Sequence, residues 1–448
     1  MHNSSLLRLL VVTSLLTTAF SQPSVREIPA AAKTFEPDPF VTEMLAQFQP
    51  DGTYAYAGSL SGEWPAVVEN LPYTITSRAT NSGLPIQNAT QYIYEHLQAL
   101  GLSVSFQDWS SKNFHGRNVV GTITGSVHPD EIVLLTSHLD DMPGFGPAPG
   151  ADDNASGSVG VLYAADILSE YRFERTMRFV FFTGEEQGLL GSKAYATEAR
   201  TKGEKIVAVC NLDMIGWDTM DGPVVRLHTR ANSAGDLEIA NVFTNVVSAY
   251  DLDLEPVIDP DGTASSDHAS FWVQGYPAIL AIEDDQNDFN PYYHSKNDRL
   301  PHLNLTFFNN FVKAAIGTAA HLARPLGGAA GDYRAQLGPP ASVQWSDPAE
   351  VITYSLTLTN IGVQTDTYHL SMSNYTWATV FPTEVGPLPA GSGTEVMVKV
   401  SVPYGALGGV ADIAVLTVVS EESNAVVDVA ELTSVVNWKV LYFPLIQR

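Results

Sequence analysis

The sequence predicts an α/β fold, with a mixed, largely parallel central sheet flanked by helices, followed by a smaller all-β sandwich. Two observations carry this. Between residues 61 and 324, short apolar runs such as Glu131–Ser137, Met177–Thr183 and Ile206–Leu212 are interspersed with stretches of helical spacing, which reads as strands buried on both faces among helices. After about Asp332 the hydrophobic period falls to two and turn signals recur, the pattern of a sandwich.

Along the chain, Arg8 within the apolar stretch Leu6–Phe20, followed by small residues near Ser21, marks residues 1–21 as a signal peptide with Gln22 as the mature start. That apolar stretch is too short to span a bilayer comfortably, and no later one is long enough; the expectation is a secreted, extracellular protein without a membrane span. Residues 22–60 are Pro-rich and polar and read either as a short propeptide or as an N-terminal wrap. In the 61–324 domain, Asn88–Leu100 puts Ile93, Leu97 and Leu100 on one helical face, and an amphipathic helix from Leu305 to Leu322 closes the domain. The Gly-rich stretch 325–332 reads as a linker. Residues 333–448 then alternate, most clearly in Val351–Leu358 and Thr394–Val402, and Trp438–Ile446 reads as a final strand.

A formal charge of −26, from 49 acidic and 23 basic residues, argues against nucleic-acid binding and favours solubility and the attraction of cationic N-termini. The single cysteine, Cys210, can form no internal disulfide and reads as an inert core thiol.

The chemistry gathers at strand ends. Glu185 and Glu186 follow the Met177–Thr183 run across Gly184, beyond the carboxyl end of a strand, where open α/β sheets bind ligands. Neighbouring residues do not readily share one ion, so the pair reads as one metal ligand and one free base. Two other runs repeat the placement, ending in His138-Leu139-Asp140 and in Asp213. Gly150–Gly157 leads into the helical stretch Val159–Tyr171, so Asp153 stands at a helix N-terminus, where a carboxylate is favoured. His294 falls in the polar loop Tyr292–Asp298 after the strand-like Ala278–Ile282. Singly, these residues read equally well as a core His, a helix cap, a turn acid and a surface His. With Glu186 they supply two imidazoles and three carboxylates and no thiolate, a set suited to zinc or a similar divalent ion; it is too large for one open catalytic zinc but right for two ions sharing a bridge.

The ordered set His138-x-Asp140, Gly150–Gly157, Gly184–Ser192, Asn211-Leu-Asp213-Met214 and His294, with Asn118–Gly121 and Ser266–Trp272, resembles the M28 family of co-catalytic zinc aminopeptidases, in particular its secreted bacterial leucyl aminopeptidase branch. The resemblance runs from about Tyr73 to about Ala323, with every ligand position present. It implies two Zn(2+) ions per chain, one on His138 and Asp213, the other on Glu186 and His294, with Asp153 as the bridge. It also implies that Glu185 is the general base, moving a proton from a water between the ions to the leaving amine. Asp140 would accept the second imidazole N–H of His138. Ser266 and Asp267 would border the substrate site, and Met214 and Ile282 would line the pocket for the N-terminal side chain. A Ser266-Asp267-His268 triad is disfavoured, because a triad is recognised by spatial roles.

The resemblance therefore implies an exopeptidase acting on peptides or proteins with a free N-terminus. Alternatives on the same scaffold are a carboxypeptidase or a glutaminyl cyclase; the latter works with one zinc, and the complete ligand set weighs against it. A non-catalytic binding protein working through its sandwich is disfavoured by the intact Glu185. The sandwich, of immunoglobulin-like type, resembles modules appended to secreted bacterial hydrolases. It carries no metal-ligand cluster, and contact with a surface or polymer is the role expected of it, if it does more than pack on its neighbour.

Overall fold

The computed structural model describes residues 35–438 apart from 112, 220–221, 329–332 and 424–425. The expected signal peptide, the start at Gln22 and all but the first residue of the expected final strand lie outside the described residues.

Eight strands form the central sheet: β1 (Ser103–Ser111), β2 (Phe114–Ile123), β3 (His128–His138), β4 (Arg175–Phe182), β5 (Lys205–Leu212), β6 (Val224–His228), β7 (Glu255–Asp259) and β8 (Ile279–Ile282). Their order is β7-β6-β8-β5-β3-β4-β2-β1. The central strands β8, β5, β3 and β4 run parallel, β1 and β2 add an antiparallel hairpin at one edge, and β6 runs antiparallel to β8. This is the mixed, largely parallel sheet that the sequence predicts.

The helices among the described residues are α1 (Pro39–Ala46), α2 (Pro50–Leu60), α3 (Leu84–Ala99), α4 (Gly157–Leu168), α5 (Leu190–Lys202), α6 (Ala234–Ala249), α7 (His268–Val273) and α8 (Leu305–Ala323). They cover both faces of the sheet, which is why its strands are apolar without alternation. Val133, Leu135, Phe179, Phe181 and Cys210 meet a core shared with α4, α6 and α8. Leu134, Val180, Phe182 and Val209 meet a second core with Tyr195 and Ala196 of α5 and Phe271 of α7. Burial pushes the Cys210 thiol up to about 12, which leaves it inert.

From Pro39 to Leu60 the segment read as a propeptide or a wrap forms two helices packed on the α/β part. Asp38 caps α1 by accepting the Phe40 and Val41 amide protons, and Pro39 opens the helix. Val41, Met44, Tyr56 and Leu60 then bury in the main core, with α1 against α8 and α2 against α4 and α8.

Half of the expected linker is also tied down. Pro325–Gly328 pairs antiparallel with Tyr171–Phe173, giving the backbone of a Gly-rich stretch hydrogen-bond partners that composition alone does not foresee. Two further sheets follow. One has four strands, in the order 335–338, 351–360, 393–401, 378–380; the other has five, in the order 341–346, 426–436, 411–420, 366–373, 384–388. Ile352, Tyr354, Leu356 and Leu358 turn inward between exposed neighbours and share one core with Leu370, Leu416, Val418 and Leu432 of the other sheet. The sandwich is fastened to the α/β part by the Arg334–Glu170 ion pair, by Gln336 donating to Gln47 at 2.8 Å, and by its strand 341–346 lying on α2. No helix among the described residues is long and apolar enough to cross a membrane.

Candidate metal centre

Parallel pairing brings the ends of three strands to one edge. His138 of β3 lies opposite Phe182 of β4, and Thr136 of β3 opposite Asn211 of β5, so His138, Glu185, Glu186 and Asp213 leave the sheet together. Gly184 turns the chain after β4 at φ +78°, and a side chain there would strike the Trp109 ring at 2.5 Å. Gly150, at φ +44°, opens the loop that carries Asp153; its missing Cβ would stand 2.3 Å from the Asp153 carbonyl oxygen.

The five expected ligands converge. His138 Nε2 stands 3.2 Å from Asp213 Oδ1 and 3.4 Å from Asp153 Oδ1. On the other side, His294 Nε2 stands 3.2 Å from Asp153 Oδ2 and 2.9 Å from Glu186 Oε2. Asp153 thus places one carboxylate oxygen toward each imidazole. Three groups among the described residues each have three donor atoms within 4.8 Å of one another: His138/Asp153/Asp213 and Asp153/Glu186/His294, which share only Asp153, and His138/Glu185/Glu186.

Burial pushes the carboxyls of Asp153, Glu186 and, most strongly, Glu185 above their ordinary values, and neighbouring carboxylates push the same way. Burial opposes charge on His294 as well, yet the Asp153 and Glu186 carboxylates that face its Nε2 raise it to about 10. His138 is likewise raised against its burial, chiefly by Asp213. Buried Asp153 Oδ2 and Glu186 Oε1 have no hydrogen-bond partner. A packed set of anions with unpaired oxygens and two imidazoles is what a divalent cation neutralises, and an oxygen and nitrogen donor set without thiolate fits zinc.

Other expected residues fall differently. The Asp140 carboxylate does not take the imidazole proton, since its Oδ1 is 3.9 Å from His138 Nδ1 while the Asp140 carbonyl oxygen is 3.0 Å away. The carboxylate instead accepts the main-chain N–H groups of Glu185 and Glu186. Ser266 lines the cavity and donates to Asp213 Oδ2 at 2.5 Å. Asp267 does not line it; wholly buried at the start of α7, its carboxyl is pushed by burial up to about 7. His268 Nε2 faces the Thr263 carbonyl at 2.9 Å, so no triad forms. Met214 and Ile282 do line the cavity, with Leu280 completing one apolar patch.

Sequence reasoning missed two supports. Asp298 accepts the amide protons of Asp152 and Asp153 at 3.0 and 2.9 Å. Fully buried Arg78 donates to the carbonyls of Leu60, Leu139, Pro149 and Gly150, locking the loops on which Asp140 and Asp153 ride. The only sequence signal for Asp298 was its place in the loop of His294; for Arg78 there was none.

Comparison with known proteins gives the scaffold its place. The model of peptidase family M28 matches residues 118–319. A probable leucine aminopeptidase from Arthroderma otae is 31% identical over 261 residues, covering 55% of this chain and 68% of that protein. This chain belongs to peptidase family M28. As a member it is a metallo-aminopeptidase, a hydrolase of peptide bonds. The fold agrees: the crystal structure of Legionella pneumophila LapA aligns at a TM-score of 0.55 and 22% identity, covering 66% of this chain and 79% of that one. That of BSAP, a zinc aminopeptidase from Bacillus subtilis, aligns at 0.52 and 16%, covering 61% and 95%. The M28 match ends within α8, so the sandwich lies outside it.

Proposed function

We propose that this M28 chain is a secreted exopeptidase that uses two zinc ions to remove N-terminal residues from peptides and proteins. The observation that carries the reading is Asp153, whose two oxygens face His138 and His294 from opposite sides. His138 and Asp213 would hold one ion, Glu186 and His294 the other. When bound, such a pair lowers the pKa of water toward neutral and polarises the scissile carbonyl.

The chain's own residues do the rest. Glu185, in the cavity wall beside the ligands, takes a proton from the attacking water and returns it to the nitrogen of the leaving amine, so the C–N bond breaks without expelling an amide anion. The amides of Glu185 and Glu186 are fixed by Asp140, which holds base and ligand at constant separation. Met214, Leu280 and Ile282 receive the N-terminal side chain. Export is supported by the leader-like residues 1–21. Contact of the sandwich with a surface or polymer is supported by exposed Leu407 and Trp438, which flank Gly408 at one end of it.

The test is a panel of free and N-blocked aminoacyl substrates, with chelation and zinc add-back. Free substrates should be cleaved, blocked ones spared, and activity restored in step with two zinc ions per chain. Equal cleavage of blocked and free substrates sinks the exopeptidase reading, and full recovery with one zinc sinks the two-ion reading.

A further inference from the structure

The cavity that holds the ligand cluster has a volume of about 240 Å³ and extends past the apolar patch to Asp285. The sheet orders these features laterally. His138, Asp153, Glu186 and Asp213 ride at the ends of β3, β4 and β5 or on the loops after them, His294 rides on the chain after β8, the patch lies at the end of β5 and on β8, and the next strand is β6. His228, the last residue of β6, lies opposite Leu280. Its Nε2 stands 3.1 Å from Asp285 Oδ2, and its Nδ1 receives the Thr263 N–H at 3.3 Å. Asp285, held by His228 of β6, is therefore displaced toward β6 from the ends of β3, β4 and β5, which carry His138, Glu186 and Asp213.

The Asp285 carboxylate is under-used by the protein. Its Oδ1 is buried without a hydrogen-bond partner. Among the described residues no lysine or arginine pairs with it; Arg226, on the same strand as His228, is instead taken by Asp284 at 2.8 Å and by Asp259 at 3.6 Å. A leucine on the patch would leave this anion beside apolar atoms, which is costly. A longer side chain that lays methylenes along Met214, Leu280 and Ile282 and ends in a cation would not, and lysine and arginine are built in that way.

We propose that Asp285 makes this pocket selective for N-terminal lysine and arginine, with the apolar patch holding the stem and the carboxylate the charged end. The proposal rests on the exopeptidase reading and names its substrate class.

The experiment compares kcat/KM of the zinc-loaded full chain for the p-nitroanilides of lysine, arginine, leucine and norleucine, in the wild type, Asp285→Asn and Asp285→Glu. Norleucine has the lysine stem without the ammonium group. The lysine-to-norleucine ratio should favour lysine in the wild type and fall roughly tenfold to a hundredfold in Asp285→Asn, the worth of a hydrogen bond between charged partners. Asp285→Glu should recover part of it. A wild type that cleaves norleucine as well as lysine, or a ratio unmoved by Asp285→Asn, overturns the proposal. A binding arm needs no turnover: in a Glu185→Gln background, lysinamide should bind more tightly than norleucinamide, and equal affinities overturn the assignment. Failure of the exopeptidase reading looks different, as cleavage of N-blocked substrates or of none while the binding preference for lysinamide persists.

Discussion

The Asp140 carboxylate holds the main chain of Glu186. Its Oδ2 accepts the Glu186 amide proton at 3.3 Å and the Thr80 hydroxyl at 2.7 Å, while its Oδ1 accepts the Glu185 amide proton at 3.2 Å. One buried acid thus sets the position of both neighbours. An asparagine has the same shape but turns an N–H toward one of those amides. Asp140→Asn should therefore lower kcat/KM or zinc affinity about 10- to 100-fold, as supports of metal ligands usually do. Steady-state kinetics with metal analysis decides it: wild-type values for both would show that the main chain holds its place unaided.

Glu185 and Glu186 are adjacent, yet their surroundings separate them. Glu186 Oε2 stands 2.9 Å from His294, whereas the one imidazole grouped with Glu185 among the described residues is that of His138, whose Nε2 already faces Asp213 at 3.2 Å and Asp153 at 3.4 Å. Glu185→Gln should lower kcat by at least ~100-fold, the scale of a lost general base, while the chain keeps its full zinc content. Loss of metal from Glu185→Gln, with metal retained by Glu186→Gln, would mean that the roles are reversed.

What could be read in the sequence was what is local to it. An apolar run followed at once by His or Asp states both a strand and the side chain at its end, so His138, Asp213 and the Glu pair could be found before any contact was known. Asp140 was found for the same reason and given the wrong partner, since only the fold shows that its carboxylate turns toward the chain after β4. Helix α2 was hidden by small residues: Gly52 and Gly58 bury by letting the Tyr163 and Trp64 rings lie where a Cβ would be, so no apolar stripe marks the helix. Asp285 reads as one acid among several in Glu283–Asp288 until the pairing of β6 with β8 brings His228 beside it.

From the burial of α1 and α2 we expect a permanent wrap rather than a propeptide. Val41, Met44, Tyr56 and Leu60 are essentially inaccessible, and at roughly 1.5–3 kcal/mol each they match a whole domain stability of about 5–15 kcal/mol. The Leu60 carbonyl also accepts from Arg78 at 2.6 Å. A chain that starts at Ser61 should be unfolded or insoluble on expression. A soluble, folded and more active protein from that start would mean that the segment is removed in maturation.

The seam between sandwich and α/β part should make stability depend on pH. Glu431, on the strand 426–436 beside strand 341–346, is pushed by burial from an ordinary 4.5 up to about 7, net of the attraction of His96 on α3. In that interval the folded chain holds a proton on Glu431 that the unfolded chain has released, so the contribution of this group to stability is full below about 4.5 and is lost as the pH rises through about 7. Glu431→Gln removes the dependence. Glu170, which burial also pushes up to about 7, titrates in both proteins and cancels in their difference. The Tm of Glu431→Gln relative to wild type should therefore rise between pH 5 and about 7 and stay level from there to pH 8. Thermal unfolding of both proteins across that range decides it; a difference that stays constant from pH 5 to 8 would show that Glu431 is ionised in the seam and already satisfied by His96.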